Sequence, residues 1–451
     1  MNKSLFLLIF RRITQSFWFI PTGLFLFAIL IAFVLTGTDH WIGLSQKIDH
    51  VDWLYANSPD GARAVLSTIA GSMITVAGVL ISTTVVVLTL ASQQYGPRLV
   101  KNFIEDRPSQ IVIGSFAACF IYSILVMRNI RSGEIEFVPQ LSILVAVLSA
   151  VICIGMMIYF IHHISIAIQV QSIMERVHND LDGLVEAVFP ENLSQALETP
   201  GNQLDSEVVA KKLANKTLSA VNTTRPGYLQ AVRSERLIKF AQENSLVVKL
   251  LVQPGSFLIK NEQLCQALAE QSLSQDAIDS LLSCFVFGRF PTCEQDILFP
   301  IKQLEEMAIR ALSPGINDPH TAIECIDYLA TSLRAIALRP FPSPYRADPQ
   351  GELRVISPVH NFEKILRVAF QQIHHYGRED INVVNRIFMA LQKIGQNAQL
   401  TVARRDTLAL FAKELLDKSE SCASSEGDKK KIRQAYQAAV RTHLSERTAQ
   451  A

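Results

Sequence analysis

Between Arg63 and Arg98 the chain runs from Ala64 to Gln94 without one charged residue. A helix needs roughly 20 apolar residues to cross about 30 Å of hydrocarbon, so this stretch spans a bilayer with residues to spare. Its interior is patterned. Every third or fourth residue gives Thr68, Ser72, Thr75, Val79, Ser82, Val86, Thr89 and Gln93, beside a small-residue stripe of Ser67, Gly71, Thr75, Gly78 and Ser82. The other side carries Ile69, Val76, Leu80, Val87 and Leu90. Such a helix is expected to turn its apolar flank to lipid and its soft flank to protein or water.

Three further apolar runs accompany it, at Phe17–Leu35, Ile111–Met127 and Phe137–Val170. The lead before Phe17 holds Lys3, Arg11 and Arg12 and reads as an uncleaved cytoplasmic start. Four spans place both termini on one side. The lead and the second loop (Arg98, Lys101, Arg107) are richer in Lys and Arg than the first loop (Lys47, Arg63) and the third (Arg128, Arg131). The bias puts both termini in the cytoplasm. Seven dispersed cysteines without a CxxC pair fit a reducing compartment for the C-terminal half. Tyr95, Arg98, His162 and His163 sit where interfacial anchors belong.

From Gln171 onward the texture is that of a water-soluble region. The expected order is a helical connector at 171–221, including a helix at Ser206–Val221, then a small α+β module at 222–291 and a helical domain at 292–451 with a flexible tail. Within the module, Val247–Val252 and Phe257–Ile259 read as a hairpin closed by Gln253-Pro254-Gly255. That hairpin looks like those of barrel-sandwich carrier domains but has no Met-Lys or Asp-Lys-Ala tip, so a carrier role is not expected. Phe341–Gly351, rich in proline, reads as a surface loop. The fold class is therefore a four-span α-helical membrane domain (1–170) followed by an α+β module and a helical bundle.

Three stretches together carry a family resemblance: Ala64–Arg98, Tyr159–His163 (YFIHH) and Arg310–Ala322 (RALSPGINDPHTA). With these the chain resembles, along essentially its whole length, the bacterial predicted membrane proteins grouped as domain-of-unknown-function family 2254. The resemblance implies an inner-membrane protein with N-terminal spans and a cytoplasmic C-terminal region. It implies no activity and no catalytic residues.

Chemistry is sparsely signalled. The chain has no GxSxG, GxxxxGK[ST], HExxH or GxGxxG. Neither an enzyme nor a cofactor is expected. A net charge of +1 gives no case for nucleic acid. No Asp, Glu, Lys or Arg lies inside these spans, which argues against an ion-coupled transporter. Two readings of Thr68, Gly71, Ser72, Thr75, Gly78, Ser82, Thr89 and Gln93 stay open. They line a narrow aqueous path between copies, or they pack helices closely, each interhelical bond contributing about 0.6 kcal/mol. Both imply homo-oligomers in the lipid bilayer. A channel-like protein with a cytoplasmic assembly or gating domain thus stands against a non-conducting scaffold or sensor that recruits a cytoplasmic partner.

Three smaller features remain. Asp39-His40 and Asp49-His50-Val51-Asp52 have carboxylate and imidazole donors in a loop, without diagnostic metal spacing. Adjacent residues on a helix point about 100° apart, so His162 and His163 cannot easily share one metal. In Ser313–His320, Asp318 caps a helix that opens with Pro319. His320 and Glu324 share a face there, with Arg310 near in sequence, and these four form a candidate cytoplasmic interface.

Overall fold

The charge-poor runs become four long helices in the computed structural model, which describes residues 17–42, 58–95, 106–132, 136–189, 213, 217–397 and 399–444. The chain divides into two units, Met1–Ser172 and Ile173–Ala451.

The first unit holds α1 (Phe19–Ile42), α2 (Pro59–Tyr95), α3 (Arg107–Arg128) and α4 (Gln140–Ala167). All four are long and apolar enough to cross a membrane. α3 is the centre. Half of its span is buried, against 22% of α2, 22% of α1 and 28% of α4, and the other three helices pack on it. Asp106 starts α3 by accepting from the Ser109 N–H at 3.1 Å, an N-cap that satisfies one of four orphan donors. Gly114 then lets α1 approach. A Cβ there would stand 2.8 Å from the Cα of Pro21 and 2.9 Å from Leu24 Cδ1.

α1 runs past the expected end at Leu35. Thr36 and Thr38 return their hydroxyls to the carbonyls of Ala32 (2.6 Å) and Leu35 (2.8 Å). These polar residues are thereby satisfied within the helix, and the Thr-Gly-Thr-Asp run stays helical. Asp39 consequently belongs to α1.

The second unit opens within α5 (Val170–Val188), whose Met174, Val177 and Leu181 are buried. It is tied to α9 (Pro319–Leu338) by His178 Nδ1 and Ser332 Oγ at 2.9 Å, and Arg339 donates to the Phe189 carbonyl at 3.0 Å. Among the described residues eight strands follow: β1 (Thr217–Asn222), β2 (Gly227–Val232), β3 (Val247–Leu250), β4 (Phe257–Leu258), β5 (Gln263–Ala269), β6 (Phe285–Gly288), β7 (Tyr345–Ala347) and β8 (Leu353–Ile356). They form a sheet in the order β1-β5-β3-β8-β7 and a smaller one in the order β4-β2-β6. Leu229, Val248, Leu250, Leu258, Leu264 and Cys265 fill the core they share with α6 (Ser234–Glu243) and α7 (Gln275–Leu282).

Three expectations are corrected here. Residues 217–222 are an edge strand rather than the end of a helix, and of them only Val221 is buried, so the sequence shows no alternation. β3 and β4 are not a hairpin. β3 pairs with β5 and β8, and β4 pairs with β2, so Gln253-Pro254-Gly255 carries the chain from one sheet to the other. Gly255 takes φ +91 there with Asp296 against its Cα, a conformation that strains any other residue. The proline-rich loop contributes β7. Proline cannot donate to a ladder, which suits this stretch to a sheet edge.

The remaining helices are α8 (Leu298–Ala311), α9, α10 (Phe362–Gly377), α11 (Ile381–Gly395), α12 (Val402–Glu420) and α13 (Glu426–Leu444). Their apolar faces bury Ile365, Phe370, Ile387, Phe388 and Phe411. His374 is buried among them, pushed down to about 4 by burial and by Lys418 and Arg378. The Ser419 hydroxyl already donates to the Leu415 carbonyl, so His374 Nε2 donates to Ser419 Oγ at 2.7 Å. This histidine is neutral and structural.

Candidate functional site

Within the chain α2 meets its neighbours through Ala62, Leu66, Ala70, Met73, Ala77, Leu80, Thr84 and Ala91, all buried. The sequence pattern assigned the apolar flank to lipid. Of that flank the structure buries Leu80, half-buries Ile69, Val76 and Val87 and leaves Leu90 exposed, so the packed side overlaps it only in part. Thr68, Gly71, Ser72, Thr75, Gly78, Ser82, Thr89 and Gln93 are exposed. At 3.6 residues per turn they lie opposite the packed side. Nothing stands within 4 Å of a Cβ built at Gly71 or Gly78. Thr68, Thr75 and Thr89 return their hydroxyls to the carbonyls four residues back, at 2.8, 2.8 and 2.9 Å.

This outward face differs from its neighbours. α1 exposes Leu26, Phe27, Leu30, Phe33 and Val34, and α4 exposes Leu148, Val151, Ile152, Ile154, Ile158 and Ile161. Those are bulky side chains suited to acyl chains. α2 intersperses Thr68, Gly71, Ser72, Thr75, Gly78 and Ser82 among exposed Val79, Val85 and Val86 on its outer face, whereas α4 exposes Gly155 among bulky neighbours.

Polar clasps close both ends of the helical unit. At one end Asp39 is buried and caps α4 from outside. It accepts from the N–H groups of Leu141 (3.2 Å) and Ser142 (3.1 Å) and from Ser142 Oγ (2.6 Å). Tyr122 donates to the Ser142 carbonyl at 3.0 Å. Arg63 of α2 donates to the Ile130 carbonyl and to Ser132 Oγ, each at 3.0 Å. At the other end Asp106 faces His163 Nε2 at 3.0 Å, and Tyr159 stacks on that imidazole. Asp39 thus serves as a cap. His40 is exposed and packs edge-on against Phe137. Asp49, His50, Asp52 and Arg98 lie outside the described residues. His162 is exposed. Tyr95 ends α2.

The second unit places Arg310, Asp318, His320 and Glu324 around the turn from α8 to α9. Asp318 accepts from Thr321 N–H (3.2 Å) and Thr321 Oγ1 (2.6 Å), and these bonds hold its carboxyl below the usual range. Arg310 lies 3.8 Å from Glu306. His320 is exposed at the head of α9. The four are neighbours along the chain.

A groove elsewhere in this unit was not legible in the sequence. It measures about 830 Å³ and lies between α8, the first turns of α10, the segment before α10 and the β3–β4 crossing. Lys302, His360, Asn361, Lys364 and Gln253 line it. Asn361 caps α10 by accepting from the Lys364 N–H at 2.8 Å. Arg367 also lines the groove, but it is committed to Glu363 (2.9 Å) and Glu414 (2.7 Å). Burial, then Lys364 and Lys302, push His360 down to about 4, and its Nδ1 is buried without a hydrogen-bond partner. His360, Gln253, Pro358 and Val359 also wall a second cavity of about 430 Å³.

The comparisons cover most of the chain. A family model described as predicted membrane protein, DUF2254, matches residues 14–393. The chain is 31% identical over 353 residues to uncharacterized protein MT1328 of Mycobacterium tuberculosis. It is 30% identical over 353 residues to uncharacterized protein Mb1321c of Mycobacterium bovis. Each alignment covers 76% of this chain and 66% of the relative, so the chain spans about two thirds of these curated relatives. No solved structure matches it.

Proposed function

This chain belongs to the DUF2254 family of predicted membrane proteins, and from that starting point we propose that it works as a homo-oligomer whose copies meet through the outer face of α2. The best reading is a channel-like protein of the bacterial inner membrane with both termini in the cytoplasm. Its C-terminal unit then assembles or gates the membrane helices. One observation carries the reading: the outer faces of α1 and α4 are dominated by bulky side chains, whereas that of α2 sets Thr68, Gly71, Thr75, Gly78 and Ser82 between exposed Val79, Val85 and Val86. The valines suit acyl chains, but the small and hydroxyl positions between them offer lipid little side-chain contact. A neighbouring helix gains close backbone approach, and water gains weak oxygen ligands.

A specific observation favours the second reading, a non-conducting scaffold or sensor. The hydroxyls of Thr68, Thr75 and Thr89 are satisfied by their own helix and need no water. In that case the surface around Asp318 and His320 is the place for a cytoplasmic partner. Planar-bilayer recording separates the two. Channel activity predicts discrete currents from the purified wild-type protein, reduced or abolished by Thr75→Leu and Ser82→Leu. Silence across ions and voltages would leave the scaffold.

A further inference from the structure

We propose that the cavity of about 430 Å³ between the end of α5, α6, the β3–β4 crossing and the β7–β8 edge takes a small monocarboxylate with an apolar body, its carboxylate held by Arg346. This inference is independent of how the membrane helices assemble.

The strand register brings Arg346 to the cavity. In the β7–β8 ladder it stands opposite Val355, so the two side chains leave the sheet on the same face. Both line the space, and Val355 belongs to the buried core of the module. The arginine on that face is half-buried. Burial alone lowers its pKa, with no carboxylate among the described residues to counter it. Its bonds within the protein leave from Nη1, to the carbonyls of Ser343 and Tyr345. Nε and Nη2 make none, and neither is among the buried polar atoms. Their N–H groups are therefore open to a ligand.

No other charge in the wall offsets this one. Glu294 is exposed and has an interaction of its own, and His360 is held neutral by burial. Around the arginine stand uncharged groups with bonding capacity to spare. The Gln253 side chain has no hydrogen-bond partner among the described residues. The hydroxyls of Ser234 and Ser357 reach backbone carbonyls only at 3.5 Å, past the roughly 3.0 Å of a good O–H bond. Most of the wall is apolar, with Ile238, Leu250, Ile297, Val355 and Val359 among its side chains. A concave, mainly apolar space with a few convergent polar groups is the usual form of a small-molecule site, and its volume falls within their range of roughly 300–1,000 Å³. The planar guanidinium fork matches a carboxylate. A single cation balances a single negative charge, whereas a phosphate would bring nearly two into a half-buried site.

The test is calorimetric titration of the full chain in phosphatidylcholine nanodiscs with 3-phenylpropionate and, separately, octanoate, with empty nanodiscs as background. The proposal predicts saturable binding of at least one of them; the tighter tells a compact ring from an acyl chain. The matching amide, the same body without the charge, should bind at least tenfold more weakly. Arg346→Met should weaken the acid tenfold or more, the equivalent of about 1.4 kcal/mol. Ser234→Trp should do the same by filling the space from the exposed head of α6, with Arg346 left in place. Arg225→Met, an exposed arginine between β1 and β2, should bind as the wild type does. Unchanged melting shows that Arg346→Met is folded; should it melt early, Ser234→Trp decides. The proposal is overturned if neither carboxylate saturates, if the amide binds as tightly as the acid, if the deciding variant binds like the wild type, or if Arg225→Met weakens binding equally.

Discussion

Gly114→Val should unseat α1 from α3 and destabilise the membrane unit by about 3 kcal/mol, the upper end of overpacking costs. The reason is what the new side chain meets. A Cβ at position 114 stands 2.8 Å from a backbone atom, Pro21 Cα, and backbone cannot rotate away as a side-chain tip can. The helix axes must separate, and with them the tight seam around Ala28 and Ala32, which are also buried. Gly155→Ala is the control, since nothing stands within 4 Å of a Cβ there. Alanine in place of glycine inside a helix contributes up to about 1 kcal/mol of stability. Thermal unfolding in detergent should show a large drop for Gly114→Val and none for Gly155→Ala. Equal melting of Gly114→Val and wild type would mean that α1 does not cross α3 at this glycine.

Asp39→Ala should be comparably damaging, at about 3 kcal/mol. The carboxylate takes three hydrogen bonds from Leu141 and Ser142, and bonds to a charged acceptor are the stronger kind. Its loss strands two backbone N–H groups at the head of α4, where no residue of that helix caps them: Pro139 occupies the cap position without a side-chain bond. Asp39→Asn keeps one oxygen acceptor and should recover part of the loss. The readout is the melting temperature together with the rate of proteolysis near residue 139. A wild-type melting curve for Asp39→Ala would show that α4 starts without help from α1.

These two sites differ in how far the sequence disclosed them. The four spans were readable because uncharged runs of sufficient length admit few other structures, and their order fixes an up-and-down bundle. Which helix sits at the centre was not readable. The long patterned helix α2 lies to one side, and α3, shorter and less conspicuous, takes the middle because Gly114 and the buried Ser109 and Ser123 admit neighbours closely. Asp39 was hidden for a related reason. Its Thr-Gly-Thr-Asp surroundings have loop composition, and the hydroxyl back-bonds that keep them helical become visible only in three dimensions.

In the second unit, strand identity suffered where strands lie at edges. β1 and β7 bury few side chains, so period-two alternation never develops. Gln253-Pro254-Gly255 was rightly a turn, but turn chemistry does not say whether the chain returns to the same sheet. The groove was illegible for a different reason. Lys302, His360 and Lys364 sit on amphipathic helices or beside them, where charged residues ordinarily face water, and only tertiary packing brings them together. The Asn361 cap marks the start of α10, a local signal that points near the site without revealing it.

The outer face of α2 carries the functional reading, and the mass of the protein released from lipid nanodiscs in native mass spectrometry examines it with one number. The account predicts that wild type emerges as more than one copy, and that Gly71→Leu/Gly78→Leu, which fills the open space beside both glycines, emerges as a single folded copy. Wild type found as one copy, or a double variant that still assembles, would contradict it.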